Sequence, residues 1–238
     1  MGYYNYYYPY FDSTYILVLI GAILSIWASA RVKSTYSKYA GVASRSGVTG
    51  AEAAGRILRA AGIYDVSVQH VSGNLTDHFD SRSKVLRLSD SVYGSASVAA
   101  IGVAAHECGH AMQHNEDYFP LKLRSAIVPV ANFGSKAGIP IIIAGVVFSY
   151  FQPLITVGIL LFSIGVAFQL VTLPVEFDAS RRALAVLESS GMLQEQELGY
   201  SKKVLQAAAL TYVAAAAASI LQLLRLILLF GGGRRRRD

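Results

Sequence analysis

The chain has 238 residues, of which 53% are hydrophobic and only 15% are charged. Soluble domains contain about 25% charged residues, so the composition excludes intrinsic disorder and an ordinary soluble domain and favours a membrane protein. The net charge of +6 indicates basic loops at a membrane surface rather than nucleic-acid binding. A single cysteine, Cys108, excludes an internal disulfide and a cysteine-rich zinc module.

The N-terminal region, residues 1–32, has the pattern of a membrane anchor. Its first fourteen residues contain six tyrosines and no Lys or Arg, and tyrosine favours the membrane–water interface. An apolar stretch follows, ending in Ala28-Ser29-Ala30, which is similar to a signal-peptidase site. A signal peptide, however, carries its positive charges before the apolar stretch, and here they come after it. We therefore predict an uncleaved anchor.

Residues 33–125 are polar and mixed in pattern, which predicts a small α+β domain. Thr49 and Glu52 have the spacing of a capping box, so a helix is expected from there to Ala61. Alternating residues predict strands at 66–71 and 84–88. An alanine-rich helical pattern covers 97–114.

The remainder of the chain predicts further membrane helices, three to four in the whole protein. Residues 126–173 form a transmembrane hairpin, in which Pro129, Lys136 and Pro140 are expected to delay the first clean span until Ala137. The second span covers 154–173. A polar helical region follows at 174–204, and residues 205–238 form a last apolar helix and a basic tail.

The distribution of basic residues predicts the orientation in the membrane. Twelve Lys and Arg residues lie between 31 and 136, so the positive-inside rule places the 33–125 domain in the cytoplasm and the N-terminus outside. If residues 205–230 also span, the four arginines at 234–237 lie outside, against the rule. The alternative is that 205–230 is re-entrant or packed inside the bundle.

The segment His106-Glu107-Cys108-Gly109-His110 is an HExxH motif in a helical context. Residues four apart lie on one face of a helix, one turn apart, so both imidazoles can bind one Zn²⁺. Glu107 lies beside that face, where it can act as the general base of a hydrolase. This predicts a catalytic zinc site with one ion per chain.

A catalytic zinc site needs a third protein ligand, and Glu176 is the candidate. It lies just past the hairpin, on the same side of the membrane as His106. His114 is one turn beyond His110 and too far along the helix to share the ion, so we expect it to lie around the site instead. Asp178 either orients a ligating imidazole or pairs with Arg181 or Arg182.

These motifs resemble a known family. HECGH, a membrane hairpin and then LPVEFDASRRA are similar to the bacterial neutral zinc metallopeptidases of the YugP-like family, and more distantly to the HtpX-like and CAAX prenyl membrane proteases. The resemblance implies a gluzincin-like catalytic domain. The distant relatives carry an aspartate four residues after the third ligand, where this chain has Ser180.

Smaller features carry weaker predictions. Residues Lys84, Val85, Leu86, Arg87 and Leu88 are expected to form an edge strand on which a peptide substrate is laid. His78 and Tyr118 are candidates to stabilise an oxyanion, although a structural role is the simpler interpretation. Cys108 is interpreted as a packing residue, and the tail arginines as lipid contacts or a solvated end.

Together, the sequence predicts an α-helical membrane protein with a small α+β gluzincin-like domain that acts as a zinc metalloendopeptidase. The expected location is the cell (inner or plasma) membrane, with the site facing the cytoplasm. Expected partners are membrane lipids, membrane-protein or peptide substrates, and a membrane partner or a second copy, but no nucleic acid. The alternative function is a non-catalytic zinc-binding membrane scaffold; a metal transporter is disfavoured because the spans lack acidic residues.

Overall fold

A computed structural model describes residues 12–231, which form six helices and one three-stranded sheet. The elements are α1 (Tyr15–Ala40), α2 (Gly50–Ala60), β1 (Ser67–Val71), β2 (His78–Asp80), β3 (Val85–Ser89), α3 (Val98–Asn115), α4 (Phe119–Val147), α5 (Gln152–Ser189) and α6 (Glu195–Phe230). The first eleven residues and the arginines of the tail lie outside this range.

Side-chain caps fix the starts of the two domain helices. The Thr49 hydroxyl accepts a hydrogen bond from the Glu52 amide at 3.3 Å, and the Glu52 carboxylate accepts one from the Thr49 amide at 3.0 Å. The predicted capping box is therefore confirmed. Ser97 caps α3 by accepting from the Ala100 amide at 3.1 Å. Both helices begin where the sequence predicted.

The sheet has the order β1-β3-β2, with β1 parallel and β2 antiparallel to β3. Both predicted strands exist, but the expectation that residues 84–88 form an edge strand is wrong. Residues 85–89 are the central strand and are paired on both sides, while Lys84 precedes the strand. The two edge strands are β1 and β2, and β2 is a three-residue strand too short to give an alternating pattern in the sequence.

The domain core lies between α2, α3 and β3. Ile57 of α2, Leu86 and Leu88 of β3 and Ile101 of α3 are all fully buried. Alanines on α3 let the neighbouring helices approach closely, so α3 lies in the centre of the domain. This places the HExxH segment on a helix that is held from several sides.

Four helices are long and apolar enough to cross a membrane: α1, α4, α5 and α6. The expected break at Pro129 and Pro140 is wrong, because both prolines lie inside the continuous helix α4. Prolines are tolerated in membrane helices, and α4 packs closely on α5 in this region: a Cβ on Gly158 would lie 2.7 Å from the Gly138 carbonyl oxygen. Helix α5 likewise continues through Pro174 to Ser189.

Helix α6 runs antiparallel to α1 over its whole length. At one end the backbone amide of Arg45 donates to Glu197 at 2.7 Å. At the other, Arg225 pairs with Asp12 at 3.3 Å and Gln152 donates to the Phe230 carbonyl at 3.0 Å. We call these the domain end and the hairpin end of the bundle. Helix α6 thus reaches from one end to the other, and its start at 195 differs from the expected boundary at 205.

Candidate metal centre

The structure brings His106, His110 and Glu176 together. The Nε2 atoms of His106 and His110 lie 3.3 and 3.5 Å from the same oxygen, Oε2 of Glu176. The three potential ligand atoms all lie within 4.8 Å of one another. The two imidazoles come from successive turns of α3 and the carboxylate from α5, so the predicted set converges across two helices and could hold a metal ion.

A close contact between the two helices makes this convergence possible. Gly109 of α3 packs directly on the backbone of α5, and a Cβ at this position would lie 2.5 Å from the Ala179 carbonyl oxygen. Glycine allows an approach that any other residue would prevent. The HExxH segment therefore contributes packing at Gly109 as well as imidazoles.

Hydrogen bonds fix the orientation of the His110 ring. Gln113, which is fully buried, donates from its Nε2 to the Val175 carbonyl at 2.8 Å and to Asp178 at 2.9 Å. Its amide oxygen must therefore face Nδ1 of His110, 3.0 Å away. Since that oxygen can only accept, Nδ1 of His110 carries a proton, and Nε2 is the nitrogen that faces Glu176 and that a neutral His110 can offer to a metal.

A second hydrogen bond orients His106. The Ser180 hydroxyl lies 3.1 Å from Nδ1 of His106, so this imidazole also presents Nε2 to the shared centre. Ser180 stands four residues after Glu176, one turn along α5 and on the same face. The position at which the sequence departs from the distant relatives is thus in contact with a candidate ligand.

Asp178 does not contact an imidazole. It accepts from Arg182 at 2.6 Å, pairs with Arg181 and accepts from Gln113. Of the two alternatives left open by the sequence, the structure shows the ion pairs. Asp178 reaches His110 only through Gln113, a residue that the sequence analysis missed. The available signal was its position three residues after His110, on the same helix face.

The charges at the centre fit a cation. Oε2 of Glu176 is buried and has no hydrogen-bond partner within residues 12–231, while Oε1 accepts from Arg124 at 3.2 Å. Burial disfavours the charged form of His110, but the nearby carboxylates of Glu176 and Glu107 more than offset this and raise its pKa. A buried carboxylate oxygen together with two imidazole nitrogens is a donor set that suits Zn²⁺.

A cavity of about 580 Å³ opens in front of these residues. Glu107 and Tyr212 line it together with the three candidate ligands, and Tyr212 comes from the middle of α6. The sequence analysis missed Tyr212, because a tyrosine in an alanine-rich apolar stretch is typical of ordinary helix packing. The cavity therefore joins the domain to the membrane bundle.

The other predicted residues lie around the cavity or away from it. His78, Tyr118 and His114 line the cavity, but His114 is not part of the converging set; its ring lies 5.9 Å from that of Phe79. Residues 84–88 do not line it, whereas residues of β2 do. Cys108 turns away, with its sulfur 3.7 Å from the Ala54 carbonyl oxygen, and burial raises the pKa of its thiol.

Comparisons with known proteins show the family to which the chain belongs. The family model described as "Putative neutral zinc metallopeptidase" matches residues 14–231. The chain is 50% identical over 200 residues to a Bacillus subtilis (strain 168) protein named "Putative membrane protease YugP", covering 84% of this chain and 88% of that relative. No solved structure matches. With the family matched over nearly the whole chain, this protein belongs to the neutral zinc metallopeptidase family.

Proposed function

We propose that this protein is a membrane-embedded zinc metalloendopeptidase. The observation that carries the proposal is the convergence of His106, His110 and Oε2 of Glu176, a buried oxygen without a hydrogen-bond partner among the described residues, beside Glu107 in one cavity. These three residues would hold one Zn²⁺ per chain. When bound, zinc supplies a Lewis acid that polarises the scissile carbonyl and lowers the pKa of a water molecule.

The side chains around the cavity supply the proton transfers. Glu107 is largely buried and adjacent in sequence to a candidate ligand, so its carboxylate accepts the proton of the attacking water. It then passes that proton to the nitrogen of the leaving amine. Tyr212 lines the same cavity and provides a hydroxyl that can donate to the developing oxyanion.

The edge strand β2 is the best candidate to hold the peptide. It pairs with β3 on one side, and residues His78 and Phe79 line the cavity. An extended peptide added to the other side would run past the candidate ligands. This assigns to β2 the role that the sequence analysis gave to residues 84–88.

We place the site at the membrane surface, facing the cytoplasm. Glu176 lies on the same continuous helix as the second membrane span, and Tyr212 lies on another. The twelve basic residues between 31 and 136 favour the cytoplasmic side for the domain. A site at the membrane surface favours substrates that are membrane proteins or peptide segments emerging from the bilayer.

The replacement Glu107→Gln tests the mechanism. We expect proteolysis to fall by roughly 100-fold or more, because the amide cannot accept the proton, while zinc stays bound. Peptides that accumulate in membranes should be compared between the parent and the variant, with zinc measured by elemental analysis of the purified protein. Glu188→Gln, an exposed position on α5, is the matched control and should behave as the parent.

Two results would contradict the proposal. If Glu107→Gln cleaves the same peptides at the parental rate, Glu107 is not the base. If the parent binds zinc but no membrane peptide differs from the Glu107→Gln strain, the protein is the non-catalytic zinc-binding scaffold instead.

A further inference from the structure

A second groove lies between α1 and α6, away from the metal centre. It has a volume of about 380 Å³ and is lined by Arg31, Ser34, Lys38 and Tyr39 of α1 and by Lys203 and Leu210 of α6, among others. Three of these residues are cations and none of the lining residues is acidic. The groove therefore concentrates positive charge between two apolar helices.

The three cations are not neutralised by the protein. Arg31, Lys38 and Lys203 are exposed, and none has an ion-pair partner among residues 12–231. Lys38 lies 5.5 Å from the ring centre of Tyr39 and Lys203 lies 5.8 Å from that of Tyr200. These two tyrosine rings stack with their centres 4.9 Å apart, so each ammonium group lies beside one ring of the same aromatic pair.

The groove lies at the boundary of the membrane span. Residues 15–30 of α1 are uncharged and cover about 24 Å along the helix axis, and Arg31 is the first charge after them. Helices α1 and α6 pack closely within the uncharged part of α1, where a Cβ on Gly21 would lie 3.0 Å from Ala218. The Asp12–Arg225 pair marks the opposite end. The basic groove therefore lies at the domain end of the apolar part of α1, the level at which a membrane span meets the lipid headgroups.

We propose that this groove binds the phosphate headgroup of an anionic phospholipid from the leaflet next to the domain. Arg31, Lys38 and Lys203 contact the phosphate, Ser34 offers a hydroxyl donor, and the acyl chains lie along the exposed apolar face of α1. Charge complementarity favours this occupant over a protein helix, because an apolar helix would leave three cations unpaired. The proposal does not depend on peptidase activity.

Native mass spectrometry of the full chain in detergent micelles tests it. Phosphatidylglycerol, phosphatidylcholine and inorganic phosphate are added separately to the parent and to the triple variant Arg31→Gln/Lys38→Gln/Lys203→Gln. Each surface cation near anionic lipid changes binding by about 5-fold, so we expect the triple variant to lose roughly 100-fold in affinity for phosphatidylglycerol. Phosphatidylcholine should bind the parent weakly, and inorganic phosphate should not bind detectably.

A matched control removes the same charge elsewhere. Arg56, Arg59 and Arg82 are exposed and lie outside the groove, so their triple replacement by Gln should leave phosphatidylglycerol binding at the parental level. The charge-retaining variant Lys38→Arg/Lys203→Arg should also bind phosphatidylglycerol at the parental level. This would show that the loss in the triple variant comes from the missing charges and not from altered packing at these positions. Equal losses in both triple variants, equal binding of the two lipids, or saturation by inorganic phosphate would each overturn the proposal.

Discussion

The two oxygens of the Glu176 carboxylate have different environments. Oε1 is bound by Arg124, whereas Oε2 faces two imidazole nitrogens and has no hydrogen-bond partner among the described residues. Arg124 can thus fix the rotation of the carboxylate and direct Oε2 to the shared centre. The geometry of the centre depends on residues that touch the ligands as much as on the ligands themselves.

Gln113 is the clearest case, and Gln113→Met tests it. Methionine has a similar volume but removes the acceptor for Nδ1 of His110 and the donor to Val175 and Asp178. We expect zinc affinity to fall by about 10- to 100-fold, measured by competition with a chromophoric chelator. The hydrogen bond to Gln113 fixes both the tautomer and the ring orientation of His110, so its removal affects both at once and the expected loss of zinc affinity is large.

Gln196→Met is the matched control, since Gln196 is exposed on α6 and its side chain donates to the Tyr200 hydroxyl, with no contact to the candidate ligands among residues 12–231. It should keep the parental zinc affinity. An unchanged affinity in Gln113→Met would show that the helix backbone alone orients His110 and that the buried amide is dispensable for the metal.

The sequence predicts the candidate metal ligands better than the residues that orient them through hydrogen bonds. His106 and His110 follow from a fixed helical spacing, and Glu176 follows from its position after the hairpin. Gln113 could not be singled out, because a glutamine three residues along a helix has many ordinary uses. Asp178 could not be resolved either, because its position on the helix allows contact with both a neighbouring imidazole and the arginines that follow it.

At the scale of elements, the contact between α3 and α5 decides whether the centre forms. Gly109→Ala should push these helices apart, since its Cβ would lie 2.5 Å from the Ala179 carbonyl oxygen. We expect a destabilisation of about 1–3 kcal/mol from overpacking and a loss of bound zinc. Thermal unfolding and elemental analysis of the purified protein measure the two effects.

Gly199→Ala serves as the control for this prediction. A Cβ at Gly199 meets nothing within 4 Å, and alanine is a better helix former by about 1 kcal/mol. This variant should keep its zinc and unfold at an equal or higher temperature. A Gly109→Ala protein that retains both zinc and stability would refute the role of the close helix contact.

The elements that the sequence predicted correctly are those with a local signal. The capping box at Thr49 and the two alternating stretches correspond to α2, β1 and β3. Strand order depends on contacts between distant parts of the chain, so the sequence analysis assigned the edge strand to residues 84–88 instead of β2. Pro129 and Pro140 predict breaks by a rule that holds for helices in water, but prolines are tolerated in membrane helices and α4 runs through both of them.

At the scale of the whole molecule, the bundle has two chemically distinct ends. The domain and the candidate metal centre lie at one end, while Asp12, Gln152 and Phe230 meet at the other. Because α6 connects the two ends, the C-terminal tail should emerge on the same side as the N-terminus. The re-entrant alternative for residues 205–230 does not fit the contact between Gln152 and Phe230.

Reporter fusions test this arrangement. A reporter whose activity depends on the compartment is fused to the N-terminus, to the C-terminus, or into the loop at Gly94, where a side chain would meet nothing within 4 Å. We expect the two terminal fusions to report the outside and the Gly94 insertion the cytoplasm. A C-terminal fusion that reports the cytoplasm would show that α6 does not span, and would favour the positive-inside rule for the tail.

The continuity of α5 has a mechanical consequence. From the hairpin turn at Gln152 to Glu176 the helix is unbroken and about 36 Å long. A rigid tilt of α5 about its hairpin end would therefore displace the Glu176 carboxylate. A change in helix tilt of about 2° moves Glu176 by roughly 1 Å. Tilting is one way in which a helix adapts to a bilayer of different thickness, so we expect zinc binding to respond to lipid thickness to the extent that the contact between Gly109 and Ala179 lets α5 move relative to α3.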